Sequence, residues 1–266
     1  MAAQARTVDE AGEYQLGGQV IDASGLGMVF SGPVVALENA TFTIKQGEFV
    51  SLIGPSGCGK STLLRLVSGL IKPTVGQVSV TGAPVTGPRA EIGMMFQKPT
   101  LLDWKSVLDN VLLPKTLGGQ VTNVDRVHAL ELLDIVGLGG FEFSFPKQLS
   151  GGMQQRVALA RLLNTGADIL LLDEPFGALD EFTRERLNIE LLRIQRDLKA
   201  TILFVTHNIQ EAVFLADRVF VMTPRPGRIE GMVDVPLARP RTIEMQKTPE
   251  FNEMVFNIRD TLGGFI

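Results

Sequence analysis

The segment FVSLIGPSGCGKSTLLRL, residues 49–66, constrains the fold of this chain more than any other. An apolar run of strand character ends in a stretch with three glycines and a proline around one lysine, and a helical pattern follows at once. Glycines give up burial but let successive backbone N–H groups turn inward without Cβ clashes, and the helix that follows adds its positive end. The product is an anion cradle. Gly54, Gly59, Lys60 and Ser61 stand in the fixed places of G-x-x-x-x-G-K-[ST], in the strand-before, helix-after context that the pattern needs. Gly54, Pro55, Ser56, Gly57, Cys58 and Gly59 are expected to wrap phosphate. Lys60 would reach the β- and γ-phosphates, Ser61 would ligate Mg²⁺, and Thr62 would add a contact near the α-phosphate. Such a loop alone does not separate a kinase from a hydrolase or a switch.

Further apolar runs at DILLLDE (168–174), TILFVTH (201–207) and RVFVM (218–222) are continuous rather than alternating. That is the pattern of parallel strands covered on both faces, and helical stretches follow them, so an α/β layered fold is expected. In the stretch EFTRERLNIELLRIQRDL, Phe182, Leu187, Leu191, Ile194 and Leu198 are spaced to share one apolar face. Between Phe96 and Ala160 the pattern changes to SVLDNVLLPKTLGG, NVDRVHALELLDIVG and GMQQRVALARLL, which predict three helices and no strand. PRPGRIEGMVDVPLARPR reads as a hairpin and connector, and TPEFNEMVFNIRDTLGGFI as a terminal helix with Phe251, Val255 and Ile258 on one side. These patterns divide the chain into a tail at 1–18, a main domain at 19–235 with a helical insertion at about 98–160, and a connector and helix at 236–266.

Two further stretches narrow the chemistry. ILLLDE puts Asp173 and Glu174 at the end of an apolar strand, where α/β sheets place ligand chemistry. Asp173 is expected to hold Mg²⁺ directly or through water, and Glu174, projecting differently, to act as general base on an attacking water. A helix N-cap is the simpler reading of the pair taken alone. LSGGMQQR (149–156) opens a helix with Ser150, Gly151 and Gly152, a second anion-binding helix start or a plain serine cap. One chain with two phosphate-binding helix starts needs a reason for the second.

Composition limits the partners. The net charge is −4 with no long basic run, which argues against nucleic-acid binding. The opening MAAQARTVDEAGEYQLGG has neither the apolar core of a signal peptide nor that of an anchor, and no apolar run approaches the ~20 residues that span a bilayer, so a soluble chain is expected. Cys58 is the one cysteine, which excludes an internal disulfide and fits a reducing cytosol. Its place in the phosphate loop makes it either a reactive thiol or a small filler.

From about residue 19 to 235 the sequence resembles the ATP-binding cassette ATPases. The phosphate loop, Gln97 in MMFQKP, LSGGMQQR, ILLLDEP, GALD at 177–180 and His207 in FVTHN occur in family order. The resemblance implies a P-loop NTPase (RecA-like) parallel-sheet core, an N-terminal antiparallel β part and an all-helical signature subdomain. It also implies a head-to-tail homodimer that sandwiches ATP, each subunit supplying its phosphate loop and its partner's signature, which accounts for two anion sites. By position, Gln97 would touch Mg²⁺ and the attacking water, His207 would contact the γ-phosphate, and Asp180 would act across the dimer. Phe30 in GMVFSG would stack adenine, against the alternative of a core phenylalanine. For His207 the alternative is a cap on the helix NIQEAVF.

Departures are GALD in place of the commoner SALD, and NTGAD (164–168) without the proline often found there; neither falls on a catalytic position. PTLLDWKSVLDNVLLP and MTPRPGRI are similar to the nitrate, sulfonate, taurine and bicarbonate importers, although Asp103 stands where proline is frequent. The resemblance thus implies an ATPase subunit peripheral to the cytoplasmic face of the inner membrane. It would work on integral membrane permease subunits and, through them, a solute-binding protein for a small anionic or polar solute. An exporter subunit or a non-transport cassette ATPase are the alternatives. Trp104 would serve either the core or the membrane partner.

Overall fold

The computed structural model describes residues 17–32 and 34–263; the tail expected at 1–18 lies almost wholly outside them. The chain opens with a hairpin of β1 (Gln19–Phe30) and β2 (Val34–Lys45), then runs into β3 (Phe49–Ile53) and α1 (Lys60–Val67). β4 (Val75–Val80), the two-residue β5 (Ala83–Pro84) and β6 (Ile92–Met95) follow. Next come four helices, α2 (Val107–Val111), α3 (Leu113–Gly118), α4 (Asn123–Ile135) and α5 (Gly151–Leu163). The rest alternates: β7 (Ile169–Asp173), α6 (Glu181–Leu198), β8 (Thr201–Val205), α7 (Ile209–Leu215), β9 (Arg218–Met222), β10 (Ile229–Asp234) and α8 (Pro249–Gly263).

The main sheet has the order β10-β9-β3-β8-β7-β6; it is parallel from β9 to β6, with β10 antiparallel at one edge. β3, β7 and β8 are buried at every position, which is why their sequences are continuous apolar runs. The second sheet, order β2-β1-β4-β5, is antiparallel. α1 lies between the two sheets: Leu63, Leu64, Leu66 and Val67 share one core with Ile21, Ile44 and Val80 from the small sheet and Leu52, Leu171 and Leu203 from the large one. The helix that follows the phosphate loop is therefore gripped from both sides. A second core on the other face of the large sheet gathers α2, α4, α5, α6, α7 and α8.

The helix predicted over 106–119 is two helices. Pro114 sits in the first turn of α3, where its missing N–H costs nothing, and the chain restarts there after α2. On α6, Leu187 and Leu191 are buried, but Phe182 is 84 % exposed and Leu198 56 % exposed, so the apolar face is shorter than its spacing suggests. Phe251, Val255 and Ile258 of α8 are buried together.

Candidate functional site

The phosphate loop follows β3 and its turn depends on glycine. Gly57 and Gly59 have φ of 73° and 111°, and a Cβ on Gly59 would lie 2.9 Å from the Ala36 carbonyl oxygen. Gly59 is also the N-cap of α1, so no side chain competes for the first N–H groups of that helix. These N–H groups are left for an anion. Lys60 is buried, and its Nζ donates to the carbonyls of Gly54 at 2.7 Å and Pro55 at 3.0 Å. The ammonium is thus held inside the curve of the loop, with Cys58 Sγ 3.9 Å away and itself buried.

β7 delivers the acids. Asp173 is buried, and burial holds its carboxyl above the usual carboxylate range; the Ser61 hydroxyl donates to it and acts the other way. A serine from the first turn of α1 and an aspartate from the end of β7 are therefore already joined. Glu174 has φ 49°, a left-handed conformation that costs a non-glycine residue of order 1 kcal/mol. Its backbone is pinned there by bonds to the Val205 carbonyl at 3.0 Å and from the Gly177 N–H at 3.2 Å. The turn brings its side chain to two other loops. Gln97 Nε2 donates to Glu174 Oε2 at 3.1 Å, and His207 Nδ1 lies 3.7 Å from the same oxygen. His207 is not the cap of α7: Asn208 holds that place, its Oδ1 accepting from the Glu211 N–H at 3.1 Å.

The second helix start is built differently. Ser150 is the N-cap of α5, its Oγ accepting from the Met153 N–H at 3.3 Å. Ser150 and Gly151 are exposed, and a Cβ on Gly151 would meet nothing within 4 Å. Gly152 is tighter, since its Cβ would lie 2.9 Å from Leu179 Cδ2 and 3.1 Å from the Ala178 carbonyl oxygen. Asp180 is exposed and caps α6 by accepting from the Thr183 N–H at 2.9 Å, a bond that holds its carboxyl below the usual range. Phe30, at the turn end of the β1–β2 hairpin, is 39 % exposed. Packing inside the core is excluded for it, and also for Trp104, which is 74 % exposed.

One residue of the site has no signal in the sequence. Gln155, inside α5 and buried, donates from Nε2 to the Gln97 carbonyl at 3.3 Å, and its Oε1 accepts from the Ala178 N–H at 3.2 Å. It ties the signature helix to the loops on either side of Glu174. Nothing in MQQR distinguishes it from its neighbour Gln154, which bonds instead to the carbonyls of Pro146 and Leu149.

A phosphate loop, an Asp–Ser pair and a separate Ser-Gly-Gly helix start thus stand in one chain, and the family model of ABC transporters matches residues 37–177. The chain belongs to the ABC transporter family. Its activity is ATP hydrolysis coupled to transport, and its core is that of a P-loop NTPase. It is 48 % identical over 225 residues to an uncharacterized ABC transporter ATP-binding protein, MJ0412, of Methanocaldococcus jannaschii, covering 85 % of this chain and 84 % of the relative. It is 43 % identical over 239 residues to the taurine import ATP-binding protein TauB of Jannaschia sp., covering 88 % of each chain. A solved structure of the ATP-binding cassette MJ0796, a dimer in a post-hydrolysis state bound to ADP and phosphate, superposes with a TM-score of 0.74 at 32 % identity. It covers 82 % of this chain and all of that one.

Proposed function

We propose that this chain is the ATP-hydrolysing subunit of an importer for a small sulfonate of the taurine type, working as a head-to-tail homodimer beneath separate permease subunits at the cytoplasmic face of the inner membrane. The observation that carries the chemistry is the convergence of Gln97 and His207 on one carboxylate oxygen, Glu174 Oε2, beside the Ser61–Asp173 pair. The choice of solute rests on the likeness to the taurine import relative.

The residues present fit Mg²⁺. Ser61 Oγ and the Asp173 carboxylate are hard oxygen donors placed together, and among the described residues no three His, Cys, Asp or Glu side chains gather into a cage. A cation held by two protein oxygens takes its other ligands from water and phosphate, as Mg²⁺ does. Gln97, at the far side of Glu174, would complete the protein's contribution. When bound, the ion supplies charge neutralisation on the β- and γ-phosphates.

The chain's own groups do the rest. Backbone N–H groups of the 54–59 loop, where Pro55 alone has none, and of the start of α1 hold the phosphates, with Lys60 opposing the charge that develops on the γ-phosphate and Thr62 near the α-phosphate. Glu174 accepts the proton of the attacking water, Gln97 orients that water and carboxylate, and His207 faces the γ-phosphate. Phe30 offers its exposed ring to adenine. Ser150, Gly151 and Gly152, at the start of α5, serve the nucleotide held by the opposite subunit, with Asp180 at the same seam.

The permease side is the apolar surface around the helical segment. Trp104, Leu117 and Phe143 are 74 %, 81 % and 82 % exposed, and Met94, Phe96, Pro99, Leu113 and Arg161 line a groove of about 300 Å³ just before and after Gln97. A helical loop of a permease seated there would press on the residue that orients the general base.

The test is uptake. Cells lacking this gene should lose ATP-dependent uptake of labelled taurine, regain it with the parental chain and not with Glu174→Gln. Uptake that persists without the gene would contradict the choice of solute, while leaving the ATPase assignment standing.

A further inference from the structure

The loop that carries His207 is closed by a ring of hydrogen bonds behind the imidazole. The Thr206 hydroxyl donates to Glu211 Oε2 at 2.5 Å and accepts from the Asn208 N–H at 3.0 Å, while Asn208 Oδ1 accepts from the Glu211 N–H at 3.1 Å. Capping α7 needs only the last of these. Glu211 is nevertheless 7 % exposed, a costly place for a carboxyl that a surface position would have left in water. Burial raises its proton affinity, with the Thr206 hydroxyl, Arg184, the Asn188 amide and His207 acting the other way.

Two further observations show that this acid does more than finish a helix. Glu211 Oε1 and Arg184 Nε are buried without a hydrogen-bond partner. Around them is a cavity of about 10 Å³, room for one water, lined by Glu174, Gly177, Arg184, Thr206, His207 and Glu211. The buried acid therefore opens into the same space as the general base. Arg184 also reaches forward: its guanidinium donates to the Leu179 carbonyl at 3.4 Å, one residue before Asp180.

We propose that Glu211 is a positioning residue for His207: through Thr206 it fixes the turn that presents the imidazole to Glu174, and across the small cavity it faces Arg184, whose guanidinium bonds to the 177–180 loop. This rests on the reading of His207 as the γ-phosphate contact. A rearrangement of the 177–180 loop at the dimer seam then moves the imidazole through Arg184 and Glu211 without touching the nucleotide.

The experiment is a double-mutant cycle on the purified chain, with single-turnover ATP hydrolysis and nucleotide affinity measured for each variant. Glu211→Ala should lower turnover about tenfold with ATP affinity within about twofold, and the loss should shrink to about twofold or less when His207 is already alanine. Thr206→Val, which keeps the shape of the turn and removes only the hydroxyl, should behave like Glu211→Ala and serves if that variant fails to fold. Glu211→Gln, which still accepts from Thr206, should restore most of the turnover. Equal losses in the parental and His207→Ala backgrounds would overturn the proposal and leave a purely structural acid. Parental turnover in Glu211→Ala and Thr206→Val would overturn it as well. Parental turnover in His207→Ala alone would instead overturn the reading of His207 on which it stands.

Discussion

The two helix starts that we assign to phosphate in this chain are built on opposite principles. At α1 the N-cap is a glycine with φ 111°, the helix is clasped between two sheets, and the functional side chain Lys60 is buried and bonded to its own loop. At α5 the N-cap is Ser150, Ser150 and Gly151 are exposed, and the helix is tied to the Gln97 and 177–180 loops by the side chains of Gln155 and Arg161. The first is a finished site. The second, exposed at Ser150 and Gly151, we read as half of one, and that difference is what a nucleotide shared between two copies of the chain would require.

If the contrast is right, lesions in the first site should destroy the chemistry outright. Lys60→Ala should lower hydrolysis by about three orders of magnitude or more, because it removes the charge opposite the developing γ-phosphate charge; a steady-state assay showing a purified variant near parental turnover would break the comparison at its strongest point. Glu174→Gln should lose a comparable amount, about 10²–10⁴-fold, yet retain ATP, since the amide fills the same space and cannot take a proton. Equilibrium binding of a fluorescent nucleotide distinguishes the two variants.

How much of this was legible in the sequence follows from burial. β3, β7, β8 and β9 announce themselves because strands covered on both faces read as nearly continuous apolar runs, each here with one polar or charged residue. β6 does not: it has four residues, one of them Gly93, where a Cβ would lie 2.5 Å from Leu162 Cδ1, so close packing of α5 demands the residue that hides the strand. β1 escapes a reading from its residues because bulges near Gly25 break its alternation, and the small antiparallel sheet was expected from family resemblance alone. In the site, the phosphate loop and acid pair are contiguous stretches and legible, whereas Gln155, Thr206 and Glu211 act through partners distant in sequence or buried behind the loop, which no spacing reveals.

Smaller effects sharpen the picture. On α6, Leu187→Ala should cost about 2–5 kcal/mol in chemical denaturation, while Phe182→Ala should stay within about 0.5 kcal/mol despite sharing the same sequence periodicity. Phe30→Ala should weaken ATP binding by about tenfold, the worth of one aromatic stack, with little change in stability because the ring is partly exposed. A melting temperature that falls with the affinity would place Phe30 in the fold rather than the site.

The central claim is that Ser150, Gly151 and Gly152 serve the nucleotide of the other subunit. Gly152→Asp tests it poorly, because any Cβ there presses on Leu179 and the Ala178 carbonyl, and so disturbs the subunit's own 177–180 loop. Gly151→Asp is the clean probe, since its Cβ meets nothing within 4 Å and Lys60 with its loop is untouched. In the Glu174→Gln background, ATP-driven dimerisation is read by light scattering. Adding Gly151→Asp should leave nucleotide binding to the single chain intact and abolish the dimer, because the new carboxylate would face the γ-phosphate across a water-poor seam. A dimer that forms as readily with Gly151→Asp as without it would contradict the claim.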